Sequence, residues 1–281
     1  MELPEFEFIR VESSCPSHHE AEERADYENR IAQMHQSGDK ILDLSGLSLR
    51  EFPTELLAFT TLEQIDISKT LLVDLPEAFA HFAHLKQLNL AYTEIEELPR
   101  SIFSLTNLEV LDLSNCRLTA LPEELNSLTA LKTIRLEGCL MRQFPDVLYQ
   151  LPQLQEIYFS YQGVANSVCT IDQPLPQLAH FNLAGNKQPR INVPLEQLEY
   201  LNLAHCSLSS LEDILINTPN VKKINLLHNS LTTLTDSLSR LPHLEELTIS
   251  LSSVDHRALE ILKSLPNLQT IHLDNNDNLV W

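Results

Sequence analysis

The sequence predicts an α/β solenoid, a curved right-handed superhelix in which short parallel strands form a concave sheet and short helical or irregular segments cover the convex side. Two observations predict it. An eleven-residue pattern, L-x-x-L-x-L-x-x-(N/C/T)-x-L, recurs eleven times along the 281 residues. Within each copy the apolar residues alternate with period two, as on one face of a strand. One such strand cannot bury that face, whereas stacked identical neighbours form a continuous core.

The copies follow one another at spacings of 20 to 24 residues, most of them 23. We number the positions of the pattern as slots 1–11 and the copies as repeats one to eleven. Slot 1 holds Asp39, Leu62, Leu85, Leu108, Leu131, Leu154, Leu178, Leu198, Val221, Leu244 and Leu268. Stacking predicts a buried slot-4 column with Leu88, Leu111, Ile134, Ile157 and Phe181, and a buried slot-6 column with Leu90, Leu113, Leu136, Phe159 and Leu183.

An apolar residue followed by proline comes after each of the first five strands, and proline is suited to begin a short helical turn on the outer surface. The pairs are Phe52-Pro53, Leu75-Pro76, Leu98-Pro99, Leu121-Pro122 and Phe144-Pro145. Repeats eight and nine have Leu211-Glu212 and Leu234-Thr235 instead, so their convex segments are expected to differ. Residues 255–265 are expected to form a helix of about three turns.

With its 23-residue length and its Leu-Pro segment, the pattern resembles the leucine-rich repeat family. It is most similar to the typical intracellular subclass found in eukaryotic signalling scaffolds and several bacterial effectors. The resemblance covers residues 39 to about 278. It implies a concave strand face that is free to bind another molecule.

The chain divides into an acidic N-terminal segment, residues 1–38, and a repeat domain, residues 39–281. The first segment carries nine acidic residues against three arginines. A capping box at Ser17 and Glu20 and a stop at Gly38 predict a helix. Its apolar stripe would consist of Ala21, Ala25, Tyr27, Ile31 and Met34. We expect this helix to cap the first repeat; an acidic binding arm, mainly residues 1–16, is the alternative.

Three interpretations of the C-terminal end stay open. The chain continues in a longer protein, or Leu279, Val280 and Trp281 fold over the last repeat, or the edge pairs with a second copy. The first two are preferred, and a monomer is expected. The regular pattern also breaks at residues 162–169 and in the 20-residue seventh repeat, which indicates either a place of partner contact or simple drift.

The chain has 39 acidic and 19 basic residues and a net charge of −20, which repels phosphate backbones and anionic lipids. Nucleic acid and membrane surfaces are therefore excluded as partners. Five cysteines without a CxxC pair, together with the lack of a secretory signal, predict a reducing, cytoplasmic location. Delivery into a host cytosol without a signal peptide is compatible with the same features.

Slot 9 holds asparagine in three repeats, as Asn186, Asn229 and Asn276, and cysteine in three others, as Cys116, Cys139 and Cys206. We expect these thiols to be structural, because buried cysteines usually behave as small apolar residues. One thiol per repeat in parallel register also leaves no tetrahedral zinc geometry.

Slots 3, 5, 7 and 8 are expected to face the solvent on the concave side. In repeats one to four they are mostly Asp, Asn, Gln and Ser. Repeats five to nine gather aromatic and basic side chains, which we name the central patch: Arg135, Tyr158, Tyr161, His180, Tyr200, His205 and His228. Tyr and Arg are enriched at the energetic centres of interfaces, so the patch is expected to contact a protein. The alternative is that these side chains merely suit a half-buried pleated surface.

No cofactor, metal site or catalytic centre is expected. His205 and His228 share slot 8 without a third ligand. Ser160, His180 and Glu156 have the residue types of a hydrolytic site but lack a nucleophile turn and a closed cleft.

The sequence thus predicts a non-enzymatic module that binds a protein with a basic face. One rival is the substrate-recruiting part of a bacterial effector or ubiquitin-ligase-type enzyme whose catalytic domain is absent here. A third possibility, from similar repeat proteins, is a regulatory subunit that grips a cytosolic phosphatase or small GTPase.

Overall fold

The computed structural model describes residues 18–38, 40–163, 169–231, 236–250, 256–273 and 278–280. Their strands are β1 (Ile41–Asp43), β2 (Gln64–Asp66), β3 (Gln87–Asn89), β4 (Val110–Asp112), β5 (Thr133–Arg135), β6 (Glu156–Tyr158), β7 (Thr170–Ile171), β8 (His180–Asn182), β9 (Arg190–Ile191), β10 (Tyr200–Asn202), β11 (Lys223–Asn225), β12 (Glu246–Ile249), β13 (Thr270–Leu273) and β14 (Asn278–Val280). The helices are α1 (His18–Ser37), α2 (Glu212–Leu215) and α3 (His256–Ser264).

One twelve-stranded sheet runs through the molecule, in the order β1-β2-β3-β4-β5-β6-β8-β10-β11-β12-β13-β14. Its first eleven strands are parallel and cover slots 3–5 of the eleven repeats, while β14 pairs antiparallel to β13. The register aligns equal slots, as in Ile134 against Ile157 and Phe181 against Leu201. The predicted solenoid of in-register repeats is confirmed.

The core is a stack of apolar layers behind the sheet. Every residue of the two predicted columns, slots 4 and 6, is buried. Phenylalanines fill the space towards the convex side in two edge-to-face clusters, Phe52 with Phe79 and Phe82, and Phe144 with Phe159 and Phe181. Because each repeat packs only on its neighbours, stability is distributed along the solenoid.

The convex side is built from short helical turns, as the proline positions predict. Five-residue 3₁₀ helices follow the proline in the first five repeats: Thr54–Ala58, Glu77–His81, Arg100–Ser104, Glu123–Ser127 and Asp146–Gln150. Repeat eight differs, as expected, because α2 takes this place. The expectation for repeat nine is wrong, since Asp236–Arg240 is again a 3₁₀ helix. Its Leu234-Thr235 pair lies outside the described residues.

Repeats six and seven have no helix on the convex side of their described residues. Instead β7 and β9 pair in parallel as a small second sheet, with Thr170 opposite Arg190. The predicted break in the pattern therefore coincides with a change from helical to extended convex structure. Residues 164–168 of that break lie outside the description. The predicted helix at 255–265 is α3.

At the N-terminal end, α1 packs against β1, with Met34 buried and Tyr27 and Ile31 against the core. The Arg30 Nη1 donates to the Ser45 carbonyl oxygen at 3.0 Å. Gly38 ends the helix in the left-handed region with φ 65°, and its N–H donates to the Met34 carbonyl oxygen. The predicted helix is confirmed, but its buried stripe contains fewer residues than predicted.

Ala25, assigned to that stripe, is exposed. The buried face follows residues 27, 31 and 34, so residue 25 lies on the opposite side of the helix. Ser17 and the side chain of Ala21 lie outside the described residues. The division of the chain at residue 38 stays a prediction.

The slot-9 cysteines are structural, as predicted. Each thiol is buried and donates to a backbone carbonyl: Cys116 to Leu90, Cys139 to Leu113 and Cys206 to Leu183, at 3.2–3.3 Å. Asn186 and Asn229 bond the same kind of carbonyl oxygen through Nδ2. Burial raises the pKa of Cys139 and of Cys206 to about 12, so both thiols are protonated at neutral pH.

Candidate partner-binding face

The strand face carries the side chains of slots 3 and 5, which are mostly half-buried or exposed. In most repeats slot 7 does not belong to this face, contrary to expectation. Its small residues are buried in most repeats: Ser68, Ala91, Ser114, Ser160, Ala184, Ala204 and Ser250. The chain turns inward directly after each strand, and only a small side chain fits under that turn.

Slot 5 is mainly a structural position. Where it holds Asp or Asn, the side-chain oxygen accepts the N–H two residues ahead, as for Asp112 and Ser114 at 2.9 Å. The same bond is formed by Asp43, Asp66, Asn89, Asn182, Asn202 and Asn225. Such Asx turns fix the chain reversal after the strand. The polar residues of repeats one to four therefore serve the fold first.

Slot 5 holds neither Asp nor Asn in repeats ten and eleven, which have Thr248 and His272, nor in repeats five and six. In repeats five and six it is Arg135 and Tyr158, which supply no such acceptor. The Arg135 guanidinium instead lies 4.0 Å from the centre of the Tyr158 ring. The Tyr158 hydroxyl donates to Glu156 Oε2 at 3.3 Å. Burial, with Glu156 next in effect, raises the pKa of Tyr158. Two adjacent repeats thus replace a structural residue with a cation–π pair on the strand face.

Slot 8 has a backbone requirement that the sequence pattern did not reveal. In all nine repeats where it is described, its φ is positive, from 50° at Tyr161 to 76° at Gly46. This left-handed region favours glycine and costs other residues about 1–2 kcal/mol. Tyr161, His205 and His228 of the central patch occupy it nonetheless.

These three residues form a row along the solenoid. The His205 and His228 rings stack with centroids 4.3 Å apart, and the Tyr161 ring lies 6.0 Å from His205. Between them Gly185 makes room, because a Cβ there would stand 2.4 Å from Tyr161 Cδ1. Glycine is thus needed at this position for its φ and for the passage of the Tyr161 ring.

The remaining patch residues, His180 and Tyr200, face each other on neighbouring strands with ring centroids 5.9 Å apart. Burial raises the pKa of Tyr200. The structure therefore divides the central patch into three groups: the Arg135–Tyr158 pair, the His180–Tyr200 pair and the slot-8 row. The pairs lie on the strands, and the row lies on the turns that follow them.

Glu137 is a residue of this face that sequence reasoning missed. It stands in slot 7 of repeat five, where most other repeats have Ser or Ala. Its Oε1 accepts from Ser160 Oγ and from Asn182 Nδ2, both at 3.0 Å. A charged residue in a column that is mostly Ser and Ala was the available signal. Because the Ser160 hydroxyl is bonded to Glu137 and buried, it does not form the serine–histidine arrangement considered above.

Slot 2 carries a ladder of alternating charges that was also missed. Glu63 accepts from Lys40 at 2.5 Å and from Lys86 at 2.6 Å, and Glu109 pairs with Lys132. The two lysines hold the pKa of Glu63 down at about 2. The ladder stops at Gln155 and Ala179 and resumes with Glu199 and Lys222.

The net charge is unevenly distributed. Residues 39–130 have 15 acidic and 6 basic side chains, a net charge of −9. Residues 131–243, which include the central patch, have 9 acidic and 8 basic side chains. The region of the patch is therefore close to neutral.

No group of three or more potential metal ligands occurs among the described residues. No helix in the described part of the chain has the length and apolar content that crossing a bilayer requires.

The geometry defines a repeat solenoid with a continuous parallel strand face. A sequence model of the family described as "Leucine-rich repeat region" matches residues 77–280, more than half of the chain. The chain belongs to the leucine-rich repeat family. A search of curated proteins returned no match.

Solved structures with the same fold include three informative neighbours. The leucine-rich repeat domain of APL1B has a TM-score of 0.63 and 20% identity over 94% of this chain and 76% of its own. The Toll–Spatzle complex of Drosophila has a TM-score of 0.60 and 22% identity over 82% of this chain. The Arabidopsis receptor kinase HAESA ectodomain, in complex with an IDA peptide hormone, has a TM-score of 0.59 and 22% identity over 83% of this chain.

The chain spans 35% of the matched chain in the Toll–Spatzle complex and 42% of the HAESA ectodomain. At these identities the likeness concerns the fold alone.

Proposed function

We propose that this protein is a non-enzymatic binding module that recognises a protein partner through the concave strand face, centred on the central patch. The observation that carries the proposal is the exchange at slot 5. Seven repeats use Asp or Asn there to fix their own turn, and repeats five and six give this up for Arg135 and Tyr158. Giving up a structural residue in two adjacent repeats is expected where a binding surface is favoured over the turn.

The side chains of the patch have the chemistry of an interface centre. Two tyrosines and an arginine on the strands, next to a stacked tyrosine–histidine row, offer broad rigid rings with few rotatable bonds. Membership of the leucine-rich repeat family supports protein binding in general. Of the neighbours, the HAESA ectodomain is described in complex with a peptide hormone and Toll in complex with Spatzle.

The acidity of the chain suggests a partner with a basic face. Because the charge of residues 39–130 is −9 and the region of the patch is near neutral, we propose that basic groups of the partner contact the first four repeats. Association should then be faster at low ionic strength. An association rate that does not change between low and high salt would rule out the basic face while leaving the patch in place.

The test of the patch is a triple substitution of Tyr158, Tyr161 and Tyr200 by Ala, followed by quantitative affinity capture from lysate. The variant should lose the partners that the wild-type chain retains. Tyr92→Ala is the matched control, because Tyr92 also stands in slot 8 at positive φ and is 55% exposed, against 53% for Tyr161, but lies outside the patch. Equal capture by the wild type and the triple variant would reject the patch.

Other predictions stay as proposals. A monomeric state and a cytoplasmic location are proposed from composition. The rival function, a substrate-recruiting part of a larger enzyme, uses the same face and differs in what is joined to it. The length of the native open reading frame distinguishes the two.

A further inference from the structure

A groove lies outside the strand face, between the segments that lead from the strands to the convex side in repeats two and three. We name it the lateral groove; its walls are residues 71–77 and 94–101, and its volume is about 980 Å³. Arg50 and Arg117 also line it. The central patch contributes no side chain to it, so it is a separate surface.

The groove exposes apolar side chains. Val73 is 62% exposed and Leu71 is 39% exposed, and both line it. At the equivalent slots the next repeat has Glu96 and Glu94, and repeat four has Thr119 and Arg117. Adjacent exposed aliphatic residues in a concave, polar-rimmed setting are typical of contact surfaces.

The rim of the groove is predominantly acidic. Five carboxylates and three guanidiniums line it. Arg117 already pairs with Glu94 and Glu96. Within the described part of the chain, no cation lies within ion-pair distance of Glu77 or Glu97. These two carboxylates are therefore available to an incoming cationic group.

We propose that the lateral groove is a second recognition site, which binds a cationic, apolar peptide segment of a partner protein. Its aliphatic side chains would pack against Val73 and Leu71, and its lysine or arginine groups would pair with Glu77 and Glu97. The site is independent of the proposed function of the strand face, and both sites can engage one partner or two.

The experiment uses the full chain and a fluorescein-labelled decapeptide of alternating Lys and Leu with blocked ends. A Lys/Ser and a Glu/Leu decapeptide of the same length serve as comparisons, and fluorescence anisotropy gives the dissociation constants. The Lys/Leu peptide should bind more tightly than either comparison, and added salt should weaken it. Absence of Lys/Leu binding, or equal binding of the Glu/Leu peptide, would overturn the proposal.

Two variants locate the binding. Val73→Lys, which places a cation on the apolar wall, should weaken binding of the Lys/Leu peptide about tenfold or more, a difference of about 1.4 kcal/mol. Ile216→Lys is the matched control, since Ile216 is also 62% exposed and belongs to the region after α2, far along the chain. If both variants weaken the peptide equally, binding is not in the groove and the site is rejected.

The triple tyrosine variant of the patch should keep peptide binding, so failure of one site can be distinguished from failure of the other.

Discussion

The first four repeats and the five that follow share one backbone but use the same positions differently. In repeats one to four, slot 5 is always Asp or Asn, whose side chain accepts a hydrogen bond from the turn that follows the strand. Slot 2 of these repeats holds a continuous ladder of opposite charges. In repeats five and six the turn-fixing residue gives way to Arg135 and Tyr158. In repeats six and seven the charge ladder of slot 2 is interrupted by the uncharged residues Gln155 and Ala179.

This difference teaches how a repeat protein can separate folding from recognition. Regular repeats fix the register, and their surface residues are largely engaged with the backbone or with each other. The residues that are free for a partner are found where those internal bonds have been given up. Deviations from a repeat's own structural pattern are therefore better indicators of a site than polarity or aromatic content alone.

The largest expected effect comes from adding a methyl group at slot 8 in each region. Gly46→Ala in repeat one should cost about 1–2 kcal/mol, the cost of a left-handed backbone for an L-residue. Gly185→Ala in repeat seven should cost about 2–4 kcal/mol, because the added Cβ also collides with the Tyr161 ring. Chemical denaturation of both variants measures the difference.

Gly46 is a suitable control because a Cβ there meets nothing within 4 Å. The Tyr161–His205 contact should also be lost in Gly185→Ala, and His205 ring proton shifts report it. Equal destabilisation of the two variants would show that the Tyr161 ring does not occupy the space above Gly185 in solution.

A smaller effect is expected from truncation at slot 5 of two adjacent repeats. Asp112→Ala removes the acceptor of the Ser114 N–H and should cost about 1 kcal/mol, as loss of a comparable capping side chain does. Arg135→Ala removes no turn acceptor and should cost less than about 0.5–1 kcal/mol.

The effect on partner capture should be the reverse, with Arg135→Ala the more damaging of the two variants. Unfolding midpoints and capture assays on the same preparations give both values. A larger loss of stability in Arg135→Ala would remove the distinction between a structural and a free slot 5.

The smallest effect concerns the charge ladder. The ordinary carboxyl pKa of 4.5 is lowered to about 2 in Glu63 by its hydrogen bonds to Lys40 and Lys86. A lowered pKa in the folded state means that the carboxylate stabilises the fold above pH 4.5. That contribution disappears as the pH falls from 4.5 through 2.

An NMR titration of the Glu63 carboxyl carbon should therefore give a midpoint well below that of a free glutamate. High salt should move it back upward, because the pairs are exposed and screened. Glu199, whose pKa is lowered mainly by its hydrogen bond to Lys222 and to a lesser extent by His180, is the comparison in the later repeats. A normal midpoint for Glu63 would mean that the ladder does not form in solution.

The fold was predictable from the sequence because one physical constraint determines it. Leucines with period two inside a 23-residue period have a single way to be buried, and the strands and core columns lie where this requires. Proline after the strand predicted the outer turns, and the helix expected at residues 255–265 is present at 256–264. The buried role of the slot-9 cysteines followed from their position in the pattern.

The site was less predictable, since it depends on bonds that the pattern does not contain. Sequence alone placed Arg135 and Tyr158 on the strand face, but it could not show that Asp112 is engaged with its own backbone and that Arg135 is not. Slot 7 was assigned to the surface because the inward turn after each strand is invisible in the leucine spacing. The lateral groove arises from segments whose side chains follow no strict period.

The left-handed backbone of slot 8 has an evolutionary consequence. Several side chains occupy a conformation that glycine adopts at lower energy, among them Lys69, Tyr92, Tyr161, His205 and His228. Selection for stability alone would favour glycine at each of these positions. A different residue there therefore indicates some other benefit. Replacing each of these residues by glycine in turn would show which side chains carry such a benefit. The experiment does not require the partner to be known beforehand.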